Sequence, residues 1–258
     1  MTTPKIQTKL TLVGVHGNGG GGFRFDRIRP HMPAEIKFLT PTLPGFADKP
    51  AHPSLQSIHD YAEHLHKLVL NEARPLVLMG TGIGGAFVLE LLQHHAASVD
   101  GVILHAPVGA RLESRRFPAL MKLPGARAFG KWLFASPLTR PLFKRLLFMD
   151  HTQIPGDYLR RFFDEYPQCS AFAQMFDIIT AEWYASLKPI DTPAALLWGA
   201  EERVLSPDHI SDYQQLLPNN TVRVVEGWDH FPMIEQPAAY AHEVAALAQL
   251  LTRKQAHV

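Results

Sequence analysis

The stretch PLVLMGTGIGGAFVLELLQ, Pro75 to Gln93, sets a short apolar run before a glycine-dense turn and then a periodic apolar segment. Two chemistries use that order. Gly80, Gly82 and Gly85 satisfy G-x-G-x-x-G, whose glycines let the backbone close around a phosphate at a helix N-terminus. The same turn also satisfies G-x-(nucleophile)-x-G, which presents one reactive side chain on a strained strand-to-helix bend, and Gly82 then stands where that side chain belongs. Other residues of chemical capacity sit in loops: His16 before the run GNGGGG at 17–22, Glu201 and Glu202 after AALLWG, and Asp229 and His230 in GWDHFPMIEQP.

The elements that position these residues decide between the two readings. Short apolar runs recur at 9–15, 36–41, 75–80, 99–107, 194–199 and 221–227. Segments with helical i, i+3, i+4 spacing lie between them, as in DYAEHLHKLVLNEA, GGAFVLELLQHHAA and DHISDYQQLLP, and AAYAHEVAALAQLLTRK follows the last. Strands alternating with helices predict an α/β protein with a mostly parallel sheet of about six strands. A dinucleotide turn follows the first strand of its unit, and an acidic residue ends the next strand. Here the turn follows the third strand, and the next, VILHAP, ends in His105, Ala106 and Pro107. The phosphate reading fails on both counts, and no cofactor is expected.

The alternation breaks at about 111–188. This insertion holds nine of the fifteen phenylalanines and carries twelve Lys and Arg against seven Asp and Glu. Pro118, Pro124, Pro137, Pro141, Pro155 and Pro167 cut it into short pieces. The expected organisation is a core of 1–110 and 189–258 with a helical lid of 111–188. The lid's aromatic residues Phe134, Phe148, Phe172 and Phe176, together with His16, are expected to line an apolar pocket beside Gly82.

Composition excludes several classes. The chain has 258 residues, 46% hydrophobic and 19% charged, with 25 Lys and Arg against 24 Asp and Glu. That is enough to bury a full core, and the balanced charge argues against nucleic acid as a partner. The N-terminus lacks a signal-peptide pattern and no apolar run approaches a membrane span, so a cytoplasmic location is expected. The single cysteine, Cys169, excludes an intrachain disulfide and reads as buried bulk. His94–His95 and His64/His66 lack facing i, i+4 spacing and no carboxylate cluster accompanies them, so no metal is expected.

VHGNGGGGFRF, TLPGFADKP, the Gly80–Gly85 turn, GAEERVLSP and GWDHFPMIEQP follow the first, second, third, fifth and sixth of these strands in turn. Together they resemble the α/β-hydrolase family of the helical-lid type, from about Thr11 to Leu250. The resemblance implies His230 as general base, Glu202 as the carboxylate that orients it, and Gly82 at the nucleophile position. It also implies oxyanion donors at the N–H of Ile83 and at Asn18 or Gly19. Three positions depart from the family pattern: Thr42 in place of Asp before LPG, Glu202 in place of Asp, and Gly82 in place of Ser, Asp or Cys. Three functions fit: a hydrolase of small apolar esters or related carbonyl compounds whose serine is replaced; a non-covalent enzyme using His230 and Glu202 on water or on a substrate proton; and a non-catalytic protein that binds such a ligand.

Overall fold

The computed structural model describes residues 9–114, 120, 121, 123 and 125–255. Its strands are β1 (Leu10–Val15), β2 (Ile36–Leu39), β3 (Leu76–Gly82), β4 (Gly101–Pro107), β5 (Ala194–Gly199) and β6 (Asn220–Val225). All pair in parallel in one sheet of order β2-β1-β3-β4-β5-β6. Each coincides with an apolar run of the sequence. β1, β3, β4 and β5 are buried along their whole length, which is why those runs show no alternation, while β6 at the edge is largely uncovered.

The helices are α1 (Ile58–Val69), α2 (Ile83–His95), α3 (Ala126–Ala135), α4 (Arg140–Leu147), α5 (Gly156–Gln168), α6 (Met175–Ile178), α7 (Ala181–Ser186), α8 (Ile210–Leu216), α9 (Pro232–Glu235) and α10 (Pro237–Gln255). α1 starts two residues before the periodicity suggests, because Ser57 and Asp60 form a capping box: Ser57 Oγ accepts from the Asp60 N–H and the Asp60 carboxylate accepts from the Ser57 N–H. α2 is buried from Ile83 through Leu92 and packs between α1 and the sheet, as expected of a helix apolar on every side.

Two features of this order place the site. From β1 the chain steps outward to β2 and then back past β1 to β3, so the loops after β1 and β3 emerge side by side at the carboxyl ends of the strands, where open α/β sheets bind ligands. The insertion leaves the core between β4 and β5 and carries α3 to α7. It is fastened to the loops at that end: the Ala171 N–H donates to Gly45 O, Gln174 Nε2 to Leu55 O, and Asn18 Nδ2 to Phe172 O. Pro118 and Pro124, two of its expected break points, lie outside the described residues. No helix among the described residues is long and apolar enough to cross a membrane.

Candidate active site

β3 runs two residues further than its apolar stretch, to Gly82, and its register against β4 shifts between Thr81 and Gly82. At that shift the chain turns sharply: Gly82 has φ 54° and ψ −118°, a backbone region that costs an L side chain about 1–3 kcal/mol. Ile83 begins α2 immediately after. A Cβ built on Gly80 would fall 2.6 Å from the backbone of Gly85, so the turn closes only with glycine there. A Cβ on Gly82 would meet nothing nearer than Gly17 Cα at 3.8 Å. The turn is therefore a sharp strand-to-helix bend with open space where a side chain at position 82 would project. Thr81 does not fill it, because its hydroxyl faces the Val15 carbonyl at 3.5 Å.

His230 and Glu202 come together from the loops after β6 and β5. Gly199 permits the approach, since a Cβ there would lie 2.1 Å from the Trp228 carbonyl oxygen. His230 Nδ1 and Glu202 Oε2 are 2.8 Å apart, and the Glu202 side chain is fully buried. Its other oxygen accepts from the N–H groups of Val204 at 2.7 Å and Leu205 at 2.9 Å. Burial alone would push the Glu202 carboxyl up, but the charge and hydrogen bond of His230 and the Leu205 N–H outweigh it and hold the group below the ordinary carboxylate value. The neighbouring acids are otherwise engaged: Asp229 accepts from the Arg203 backbone and guanidinium, and Glu201 is exposed.

The loop after β1 supplies the facing wall. Asn18 lines the cavity, and its side chain is committed to the loop itself: Oδ1 accepts from the Gly19 N–H at 3.0 Å while Nδ2 donates to Phe172 O. Gly19 is thereby corrected as a donor candidate, because its N–H already has a partner and it does not line the cavity. Ile83 lines the cavity at the first position of α2, where a helix leaves its N–H groups without an internal acceptor. His16 is also corrected. It is fully buried behind the wall, with Nδ1 donating to Gly17 O and Nε2 accepting from the Leu43 N–H, a neutral tautomer that ties the loop after β1 to the loop after β2. Burial is the main cause that lowers its pKa to about 4.

A cavity of about 590 Å³ lies over Gly82, Ile83, Asn18 and His230. Its walls are mainly apolar and come largely from the insertion, Phe134, Phe172 and Phe176 among them. Phe148 is not; it is buried one layer back, against Phe162 and Phe231, with ring centroids 5.1 and 5.5 Å away. Sequence reasoning did not single out Arg24, His105, Tyr166, Phe231 or Met233, which also line the cavity. Phe231 was within reach of it, as the residue after the candidate base. Arg24 was not: its buried guanidinium stacks 3.5 Å over Phe162, donates to the carbonyls of Gly19 and Phe162, and lies 3.6 Å from the buried Glu165 of α5. Glu165 in turn accepts from the Gly21 N–H. Cys169 is buried away from the cavity, and burial pushes its thiol up to about 11.

Comparison with known proteins finds relatives and structural neighbours along most of the chain. The pimeloyl-[acyl-carrier protein] methyl ester esterase of Neisseria meningitidis is 24% identical over 236 residues, which cover 88% of this chain and 89% of that protein. A laboratory-evolved variant of potato epoxide hydrolase superposes with a TM-score of 0.76 at 14% identity, covering 95% of this chain and 93% of the other. An esterase from Exiguobacterium antarcticum superposes with a TM-score of 0.71 at 13% identity, over 95% and 93% of the two chains. The family model described as the alpha/beta hydrolase family matches residues 12–243, and with the six-stranded parallel sheet this shows that the chain belongs to the α/β-hydrolase family.

Proposed function

We propose that the cavity over Gly82 is a hydrolytic site for esters of apolar acyl chains, or related carbonyl compounds, in which water stands where the family's nucleophilic side chain would be. One observation carries the reading: the Glu202–His230 pair and the open space above the elbow border the same cavity. Glu202 holds Nδ1 of His230 as the donor, which leaves Nε2 basic toward the cavity. Nε2 removes a proton from water as the water oxygen bonds to the substrate's carbonyl carbon, and the carbonyl π pair moves to its oxygen. The N–H groups of Ile83 and Asn18, the first aided by the α2 dipole, hold that oxyanion. Collapse re-forms the C=O bond and breaks the bond to the alcohol oxygen, which takes the proton back from His230.

The apolar walls support an acyl chain rather than a charged ligand, since Arg24, the buried cation there, is already compensated by Glu165. An esterase among the relatives and another among the structural neighbours support an ester.

The test is Gly82→Ser. In a serine protease, loss of the nucleophile costs about 10⁶ in kcat, and roughly 10³–10⁴ over water remains from the other groups. The protein with Gly82 should therefore hydrolyse activated aryl esters slowly and without a burst. With serine the protein should burst stoichiometrically and label with a fluorophosphonate. A folded Gly82→Ser protein that neither labels nor bursts overturns the acyl-transfer geometry; if the glycine protein also shows no turnover, the cavity is a binding site only.

A further inference from the structure

Away from the cavity, α1 and α2 bring two histidines onto one buried carboxylate. Glu90 and His94 are four apart on α2 and share a face, and His59 approaches from the first turn of α1. His59 Nδ1 lies 3.5 Å from Glu90 Oε1, and His94 Nε2 lies 3.2 Å from the same oxygen. Two N or O ligands about 2.0–2.1 Å from a tetrahedral zinc ion stand roughly 3.3 Å from each other, so both spacings match. The imidazole planes meet at 76°, with centroids 4.6 Å apart. A metal must lie in the plane of each ligating ring, and two crossing planes share a line on which it can.

Glu90 is held as a ligand would be. The carboxylate is largely buried, and its second oxygen accepts from Trp183 Nε1 at 2.8 Å, which fixes the orientation of the first. Such outer hydrogen bonds set the geometry and affinity of metal sites. The two histidine side chains are about half exposed, which leaves a coordination position for water and a path of entry.

A similar trio one turn along, Glu63, His66 and His95, differs in the feature that matters. His66 and His95 stack face to face, with centroids 3.8 Å and planes 13° apart, so their lone pairs lie in parallel planes and do not converge.

We propose that His59, Glu90 and His94 form a binding site for a borderline-soft divalent cation of the zinc type. Two imidazoles and one carboxylate suit zinc, nickel or copper over magnesium or calcium, which prefer oxygen ligands. The site is independent of the hydrolytic reading. It joins α1 and α2 to Trp183 of α7, directly after Thr180, Ala181 and Glu182 at the rim of the cavity.

The experiment uses tag-free, EDTA-treated full chain and zinc chloride, followed by calorimetry and by melting temperature. The expected result is one zinc per chain with a Kd in the micromolar range or below, and a rise of roughly 5 °C or more at about 100 times Kd. Cobalt(II) in place of zinc should give the strong visible absorption of a four-coordinate site. His59→Gln and His94→Gln should each weaken binding at least about tenfold, and Trp183→Phe about 10–100-fold through loss of the outer hydrogen bond. His66→Gln should leave it unchanged. No binding at 100 times the protein concentration overturns the proposal, as does binding that survives His59→Gln and His94→Gln together or is lost in His66→Gln alone. His59 is exposed at a helix start, so His59→Gln remains informative should substitution within α2 impair folding.

Discussion

Gly82 leaves open the space in which the proposed mechanism sets water. Its φ of 54° is free for glycine, so Gly82→Ser should cost about 1–3 kcal/mol, read as a lower urea midpoint with an unchanged m-value. The serine-bearing protein also tests the orienting carboxylate. Glu202→Gln keeps an acceptor for the N–H groups of Val204 and Leu205 but no longer fixes His230 with Nδ1 protonated. In the Ser-His-Asp template the equivalent change lowers kcat about 10⁴-fold with the geometry intact, and a loss of that order in kcat with little change in KM is expected here. The pairing of His230 with Glu202 was legible through the family resemblance, which sets both residues in loops just past strand ends. His16 and Phe148 were not. A residue near a pocket in sequence either faces it or backs its wall, and only the Leu43 N–H for His16 and Phe231 for Phe148 decide that.

At the scale of elements, the loop after β1 is held to α5 by the buried Arg24–Glu165 pair. Both side chains are almost inaccessible, and Glu165 also satisfies the Gly21 N–H. Removing one partner of such a pair leaves the other charge buried without compensation, at about 3–5 kcal/mol. Glu165→Ala should therefore lower stability by about that amount in urea denaturation, whereas Arg24→Met with Glu165→Leu should cost less than the single change. A loss below about 1 kcal/mol in Glu165→Ala would mean the pair does not brace the loop. The strands β1, β3, β4 and β5 were legible because burial on both faces leaves unbroken apolar runs, and the main helices because they keep apolar i, i+3, i+4 spacing; the start of α1 was not, since its capping box precedes that spacing. The fastening of the insertion was not, since Arg24 and Glu165 lie far apart in the chain and neither shows a local pattern. At the zinc-type trio, the expectation that no carboxylate accompanies His94 and His95 is corrected, since Glu90 lies one turn before His94 on α2 and Glu63 meets His95, while His59 joins Glu90 only through the packing of α1 on α2.

The whole molecule should lose stability in mild acid. Burial is the largest cause that lowers His16 to about 4 and His105 to about 3 from an ordinary 6.5, and both are neutral in the folded chain. Below pH 6.5 the unfolded chain binds protons at these positions and the folded chain does not, so acid favours unfolding. The stability is fully present above pH 6.5 and is lost as pH falls toward about 4 for His16 and about 3 for His105. Well below 6.5 each contributes a slope of up to about 1.4 kcal/mol per pH unit. The lowered carboxyl of Glu202 adds to the loss below the ordinary carboxylate range. Urea denaturation at pH 7, 6 and 5 should show falling stability, with a shallower slope in His105→Gln; equal stability at pH 7 and pH 5 would contradict the burial of the two neutral rings.

The amino-acid sequence by itself determined the layered α/β architecture, the family to which the chain belongs and the glycine at position 82 just past the third strand. Each of these rests on local periodicity, on a turn that only glycine permits, or on position just past a strand end. Tertiary structure decided which residues of the loop after β1 and which phenylalanines line the cavity, and that Arg24 pairs with the buried Glu165. It also decided that His59 meets Glu90 and His94. Those outcomes depend on the close approach of side chains from elements distant in the chain, and no spacing within one segment encodes it.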